Sequence, residues 1–115
     1  MPESPEGGAV ALQSWRSRFP SLQFESPAPA ILEIVICSPA RLNAADAHTH
    51  RDLAQIWREI DTDETVRAVL VRGAGKHFSA GGDFSLIEDM IASEATLVRV
   101  WKEASDLVYN LINCS

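Results

Sequence analysis

Two short apolar runs, each followed by an amphipathic stretch, set the plan of this chain. Residues 30–37 carry Ile31, Ile34, Val35 and Ile36, β-branched side chains that suit a buried strand, and Ser38-Pro39 ends the run. Residues 66–71 are apolar apart from Arg67, which predicts a second strand covered on both faces and therefore central in its sheet. Between the two runs, Leu53, Ile56, Trp57 and Ile60 recur at helical spacing. They predict a helix over residues 46–60 with one apolar face and Asp46 as its N-cap. An acidic turn follows at 61–64. Ahead of these elements, residues 21–25 alternate and predict a strand, which Pro27 and Pro29 interrupt. Downstream, Phe84, Leu86, Ile87, Met90 and Ile91 predict a short helix. Leu97, Trp101, Ala104, Val108, Leu111 and Ile112 predict a longer one. Trp57 and Trp101 both fall on apolar stripes and are expected in the core. The order strand, helix, strand, helix, helix is an α/β pattern. Residues 1–20 are expected to form a mobile tail, with a short helix or docking segment within 11–19, and residues 21–115 the folded part.

With 115 residues the chain holds at most one domain. A net charge of −6 argues against nucleic acid or an anionic membrane surface as the main partner. The longest apolar run, 30–37, is broken by Glu33 and is far too short to cross a bilayer. Glu3 and Glu6, with no continuous apolar stretch, argue against a secretory signal. Cys37 and Cys114 fit no metal-ligand spacing, and their apolar neighbours predict buried free thiols in a reducing, cytoplasmic setting. No metal site is expected.

Candidate chemistry concentrates after the second strand, in the stretch from Arg72 to Phe84, where four glycines and two alanines leave the main chain open to close approach. A glycine-rich turn feeding a helix offers free N–H groups and a positive dipole end to a negatively charged oxygen. A tight surface turn is the plainer reading of the same composition. Two phosphate-binding motifs fail here. A P-loop needs Ser or Thr after Gly75-Lys76, where His77 stands, and a glycine where Leu70 stands. The dinucleotide fingerprint needs a glycine at Phe78. His48 and His50 lie two apart on a helix, point in different directions and are expected to be solvated. His77 is expected on the loop surface, and Asp83, Glu88 and Asp89 suit the first turns of a helix without further chemistry.

Three segments, in order, resemble the N-terminal part of the enoyl-CoA hydratase/isomerase, or crotonase, superfamily. The first is Pro39-Ala40-Arg41-Leu42-Asn43-Ala44, followed by Leu53. The second runs from Asp63 to Val71. The third, from Gly73 to Phe84, is close to the G-x-G-x-x-F-S-A-G-x-D signature. Ala45, Thr49 and Phe84 depart from the usual leucine, methionine and leucine, which are changes of packing. The resemblance implies the first part of a crotonase-type β-β-α spiral. It also implies enoyl-CoA hydratase-like lyase chemistry on an acyl-CoA thioester, with coenzyme A entering as part of the substrate and no separate cofactor. By position, Ala80 would donate its backbone N–H to an oxyanion, and Gly81 and Gly82 would keep the backbone bare beside the thioester. Ala40 and Leu42 would offer main-chain groups to coenzyme A, and Asp83 would sit at the start of the helix that adds its positive end. Lys76 and Arg41 would attract phosphates. Members are more than twice as long, so the resemblance implies a homo-oligomer or a missing C-terminal half that carries the second oxyanion donor and the catalytic acids. Thioester hydrolysis, isomerisation, decarboxylation, or a catalytically incomplete remnant that binds coenzyme A or a partner remain open.

Overall fold

The computed structural model describes residues 14–114. Three strands and three helices account for most of it. Strand β1 (Gln23–Ala28) pairs antiparallel with β2 (Ile31–Ile36), and β2 pairs parallel with β3 (Ala68–Gly73), giving the sheet order β1-β2-β3. Helix α1 (Ala47–Asp61) connects the two parallel strands, and α2 (Phe84–Ala92) and α3 (Glu94–Ile112) follow β3. A parallel pair needs such a crossover, because its strands cannot be joined by a tight turn.

The helix expected at 46–60 forms one residue later. Asp46 caps it by accepting the Thr49 N–H at 2.9 Å, and Ile56, Trp57 and Ile60 face the core. Leu32 and Ile34 from β2 meet them. The first strand differs from expectation. It runs through Pro27 to Ala28, with an irregular register between Glu25 and Ala28. Proline is tolerated there because β1 is an outer strand and its missing N–H is not needed on the open side.

The third strand also differs. It starts at Ala68 because Asp63 folds the preceding residues into a turn. Its side chain accepts from the Thr65 N–H at 2.9 Å and its carbonyl from the Val66 N–H at 3.2 Å. β3 is an outer strand of the described sheet, not a central one, and Leu70 is 52% exposed. Arg72 on β3 pairs with Glu33 on β2 at 3.1 Å and with Glu25 on β1 at 3.3 Å, one cation spanning all three strands.

The tail assigned to residues 1–20 gives way to folded chain by residue 14; residues 1–13 lie outside the described part. A 3-10 turn at Ser14–Arg18 docks Trp15 and Phe19 into the core. Trp15 stands edge-on to Phe24 at 5.4 Å and donates its indole N–H to Asp63 at 2.9 Å. Ser21 donates its N–H to the buried Asp52 of α1 at 3.2 Å. For residues 14–19 these contacts supply the docking that the sequence left open over 11–19; residues 11–13 lie outside the described part.

On the other side, α3 packs against α1 and α2. Ser93 caps α3 by accepting the Thr96 N–H. Trp57 is buried as expected, but Trp101 is 75% exposed. It is Val100, one position earlier, that faces inward. Neither cysteine is fully buried: Cys37 is exposed, and Cys114 is half-buried with its thiol pKa raised by desolvation and by the nearby Asp61. Among the described residues no helix is long and apolar enough to cross a membrane.

Candidate functional site

The glycine-rich loop is held by the segment before α1. A 3-10 turn at Pro39–Arg41 leads into Leu42 and Asn43, both left-handed, with φ of 52° and 59°. Asparagine tolerates that conformation; leucine does so at a cost. Asn43 is buried, 1% exposed, and its side chain makes three hydrogen bonds. Its Oδ1 accepts the Ser38 N–H at 2.8 Å, and its Nδ2 donates to the carbonyls of Ala74 at 2.9 Å and His77 at 2.7 Å. One amide thus joins the two loops that the sequence separates by about thirty residues. Gly73 sits beneath this joint. A Cβ there would overlap the carbonyl oxygens of His77 and Phe78.

Beyond the joint the loop runs alongside residues 42–45 and spends its donors in turn. Ala80 donates to the Leu42 carbonyl at 3.0 Å, Gly81 to Ser79 Oγ at 3.1 Å and Asp83 to the Ala45 carbonyl at 2.8 Å. The Ala45 N–H donates back to Gly81 at 2.7 Å. This is a single parallel bridge between Ala45 and Gly82. A bridge made through the peptides on either side of a residue turns that residue's own N–H the other way. The Gly82 N–H therefore has no partner among the described residues, while the Gly81 and Asp83 N–H groups on either side of it are engaged. Gly81 has φ of 101°, a conformation that favours glycine, and this shapes the turn into α2.

The expected site residues are accordingly redistributed. Ala80, Gly81, Gly82 and Asp83 do lie together beside Leu42, but the Ala80 N–H is engaged within the fold and is not free to meet a ligand. Leu42 has both main-chain groups occupied, its N–H by Pro39 at 3.3 Å and its carbonyl by Ala80. Ala40 is exposed at the 3-10 turn. Asp83 caps α2 as expected, accepting the Ser85 N–H at 3.3 Å. The Ser85 hydroxyl holds its carboxyl below the ordinary value, helped by Arg41 at 3.8 Å. Arg41 lies between Asp83 and Asp46, at 3.9 Å from the latter, so part of its charge is spent inside the protein. Lys76 and His77 are exposed.

Gly82 opens onto an apolar cavity of about 610 Å³, walled by Leu86 and Met90 of α2 and by Val100 and Trp101 of α3. His50 of α1 lines the same cavity. It is not the solvated histidine expected from the sequence: its side chain is 18% exposed, and Nδ1 lies 2.9 Å from Oε1 of Glu103, itself 14% exposed. His48 is exposed, as expected. The signal for His50 was its spacing, since it precedes Ala54 and Trp57 by four and seven residues and so shares their inward face. Asn43 and the Gly82 donor carried weaker signals, because both depend on how two distant loops meet. Among the described residues no group of His, Cys, Asp and Glu is placed to hold a metal ion.

The Enoyl-CoA hydratase/isomerase family description matches residues 31–115. The chain belongs to this family. It is 41% identical over 56 residues to a Delta(3,5)-Delta(2,4)-dienoyl-CoA isomerase of Pyricularia oryzae, a match covering 49% of this chain and 20% of that protein. It is 33% identical over 67 residues to a mevalonyl-coenzyme A hydratase of Beauveria bassiana, covering 58% of this chain and 24% of that protein. Among solved structures, an enoyl-CoA hydratase/isomerase from Mycobacterium paratuberculosis superposes with a TM-score of 0.77 at 28% identity, over 82% of this chain and 37% of that one. The fold is thus that of the crotonase superfamily, and the chain spans well under half the length of the relatives it matches.

Proposed function

We propose that this chain forms an acyl-CoA thioester site of the enoyl-CoA hydratase/isomerase type, in which the N–H of Gly82 receives the thioester oxygen. The observation that carries this reading is the free Gly82 N–H at the rim of an apolar cavity, just ahead of the first turn of α2. A donor held in place by the Ala45 bridge needs no reorganisation when negative charge develops on that oxygen, and the positive end of the helix adds to it. The apolar walls suit an acyl chain. Ala40 and Lys76 are exposed to solvent and available to the polar part of coenzyme A. Hydration and isomerisation both pass through such an oxygen-centred charge, and the named relatives include one enzyme of each kind.

The test uses an unsaturated acyl-CoA whose thioester carbonyl stretch is followed by infrared difference spectroscopy. Binding to the chain should shift the stretch to lower frequency. Gly82→Ala should retain the shift, because its Cβ meets nothing within 4 Å. Gly82→Pro should abolish it by removing the donor. An unshifted carbonyl in the bound wild-type complex, or a shift that survives in folded Gly82→Pro, would refute the assignment.

A further inference from the structure

The cavity beside Gly82 holds an ionisable group that the oxyanion reading does not use. Of the residues lining it, His50 is the one that can take up or release a proton. Its ring bridges α1 and α3 through Glu103, and Asn110 Nδ2, which donates to the Ala54 carbonyl at 2.9 Å, fixes the same pair of helices further along. A carboxylate at Nδ1 accepts a hydrogen bond there, which leaves the lone pair on Nε2. Nε2 has no partner among the described residues. Glu88 and Asp89 of α2 are exposed and lie outside the lining of the cavity, and four further carboxylates are committed elsewhere. Asp46 caps α1 and faces Arg41; Asp83 caps α2; Asp52 takes Ser21 and Arg51; Asp106 pairs with Lys102.

Resting on the acyl-CoA reading above, we propose that His50 is the general base of this cavity and that Glu103 is its positioning residue. The His50 Nε2 lone pair forms a bond to a hydrogen on the carbon next to the thioester carbonyl. The electron pair of that C–H bond becomes the second bond between this carbon and the carbonyl carbon. The carbonyl π pair moves onto oxygen, where the Gly82 N–H receives it. The imidazolium that results is paired with the Glu103 carboxylate. In heavy water the imidazolium N–H exchanges its proton with D₂O, and return of the deuteron to the carbon regenerates the thioester, so the net event is exchange of hydrogen for deuterium with the solvent as the only other reactant. A mere link between helices would require neither a free ring nitrogen nor a place in the lining of the cavity.

The experiment incubates the full 115-residue chain with butyryl-CoA in D₂O and follows loss of the α-hydrogens by NMR, with binding measured separately by quenching of Trp101. Exchange above the buffer rate is expected, and His50→Gln should lower it by about 10²–10⁴-fold while leaving binding unchanged. Glu103→Gln should slow exchange at saturating butyryl-CoA without weakening binding. Added imidazole should restore part of the exchange lost in His50→Ala, which a purely structural role would not allow. Binding without exchange, or exchange undiminished in folded His50→Gln, overturns the base assignment and leaves the acyl-CoA reading standing. Absence of butyryl-CoA binding to the wild-type chain overturns both.

Discussion

Replacing Asn43 with alanine tests the joint on which the candidate site stands. The substitution removes three hydrogen bonds, from Ser38 and to Ala74 and His77, in a place that is 1% exposed. Each is worth about 1 kcal/mol net, and any partner left buried and unpaired adds to the loss. The left-handed backbone at φ 59° adds about 1–2 kcal/mol for a residue with a Cβ and no polar side chain to offset it. The expected cost is therefore about 4–5 kcal/mol, a large share of the roughly 5–15 kcal/mol that holds a domain together. Two companions separate the terms. Asn43→Gly relieves the backbone and should cost about 1–2 kcal/mol less than Asn43→Ala. Asn43→Asp puts a second oxygen where Nδ2 now meets two carbonyls at 2.7 and 2.9 Å, and should be worse than alanine at neutral pH. Urea unfolding followed by tryptophan fluorescence measures all three, because Trp15 and Trp57 lie in the core. Hydrogen exchange of residues 74–82 should quicken in the variants before global unfolding. An Asn43→Ala protein within about 1 kcal/mol of wild type, with exchange of 74–82 unchanged, would mean that the two loops are held by something other than this amide.

Gly73→Ala should prevent the loop from closing as observed, since its Cβ would overlap two carbonyl oxygens and come within 2.7 Å of Asn43 Nδ2. A loss of about 3 kcal/mol or more is expected, and an unchanged urea midpoint would refute the loop geometry. For Asp63, burial alone would raise the carboxyl, but hydrogen bonds from Thr65 and Trp15 and the charge of Arg16 together hold it below the ordinary value. Its contribution is therefore complete above the unfolded carboxylate pKa of about 4 and is lost as pH falls through the lower folded value. Asp63→Asn should flatten that acid limb of the stability profile, and an identical limb in the variant would show that other groups set it.

The three strands, the helix capped by Asp46 and the two final helices were legible because each rests on local signals: periodicity, β-branched runs, caps and prolines. Ile56, Trp57 and Ile60 had to share a face on any helix, and that face had to be buried. The glycine-rich loop announced its openness for the same local reason, and its match with the Leu42-Asn43-Ala44 segment pointed to the family. What local pattern could not decide is where each peptide group points once two loops thirty residues apart lie side by side. The Leu42 carbonyl takes the Ala80 N–H and the Ala45–Gly82 bridge leaves the Gly82 N–H, a difference of two residues that hydrogen bonding across the chain alone determines. The same holds for His50, whose fate depended on Glu103 arriving from α3, and for Trp101, which its helical stripe placed in the core and the packing of α3 turned outward. Trp15 and Phe19 show the reverse case: a segment with poor local signals is ordered because Phe24, Asp63 and the core it covers lie elsewhere in the chain. Local propensity selects the elements, but donors, acceptors and ring faces are allotted only when the elements meet.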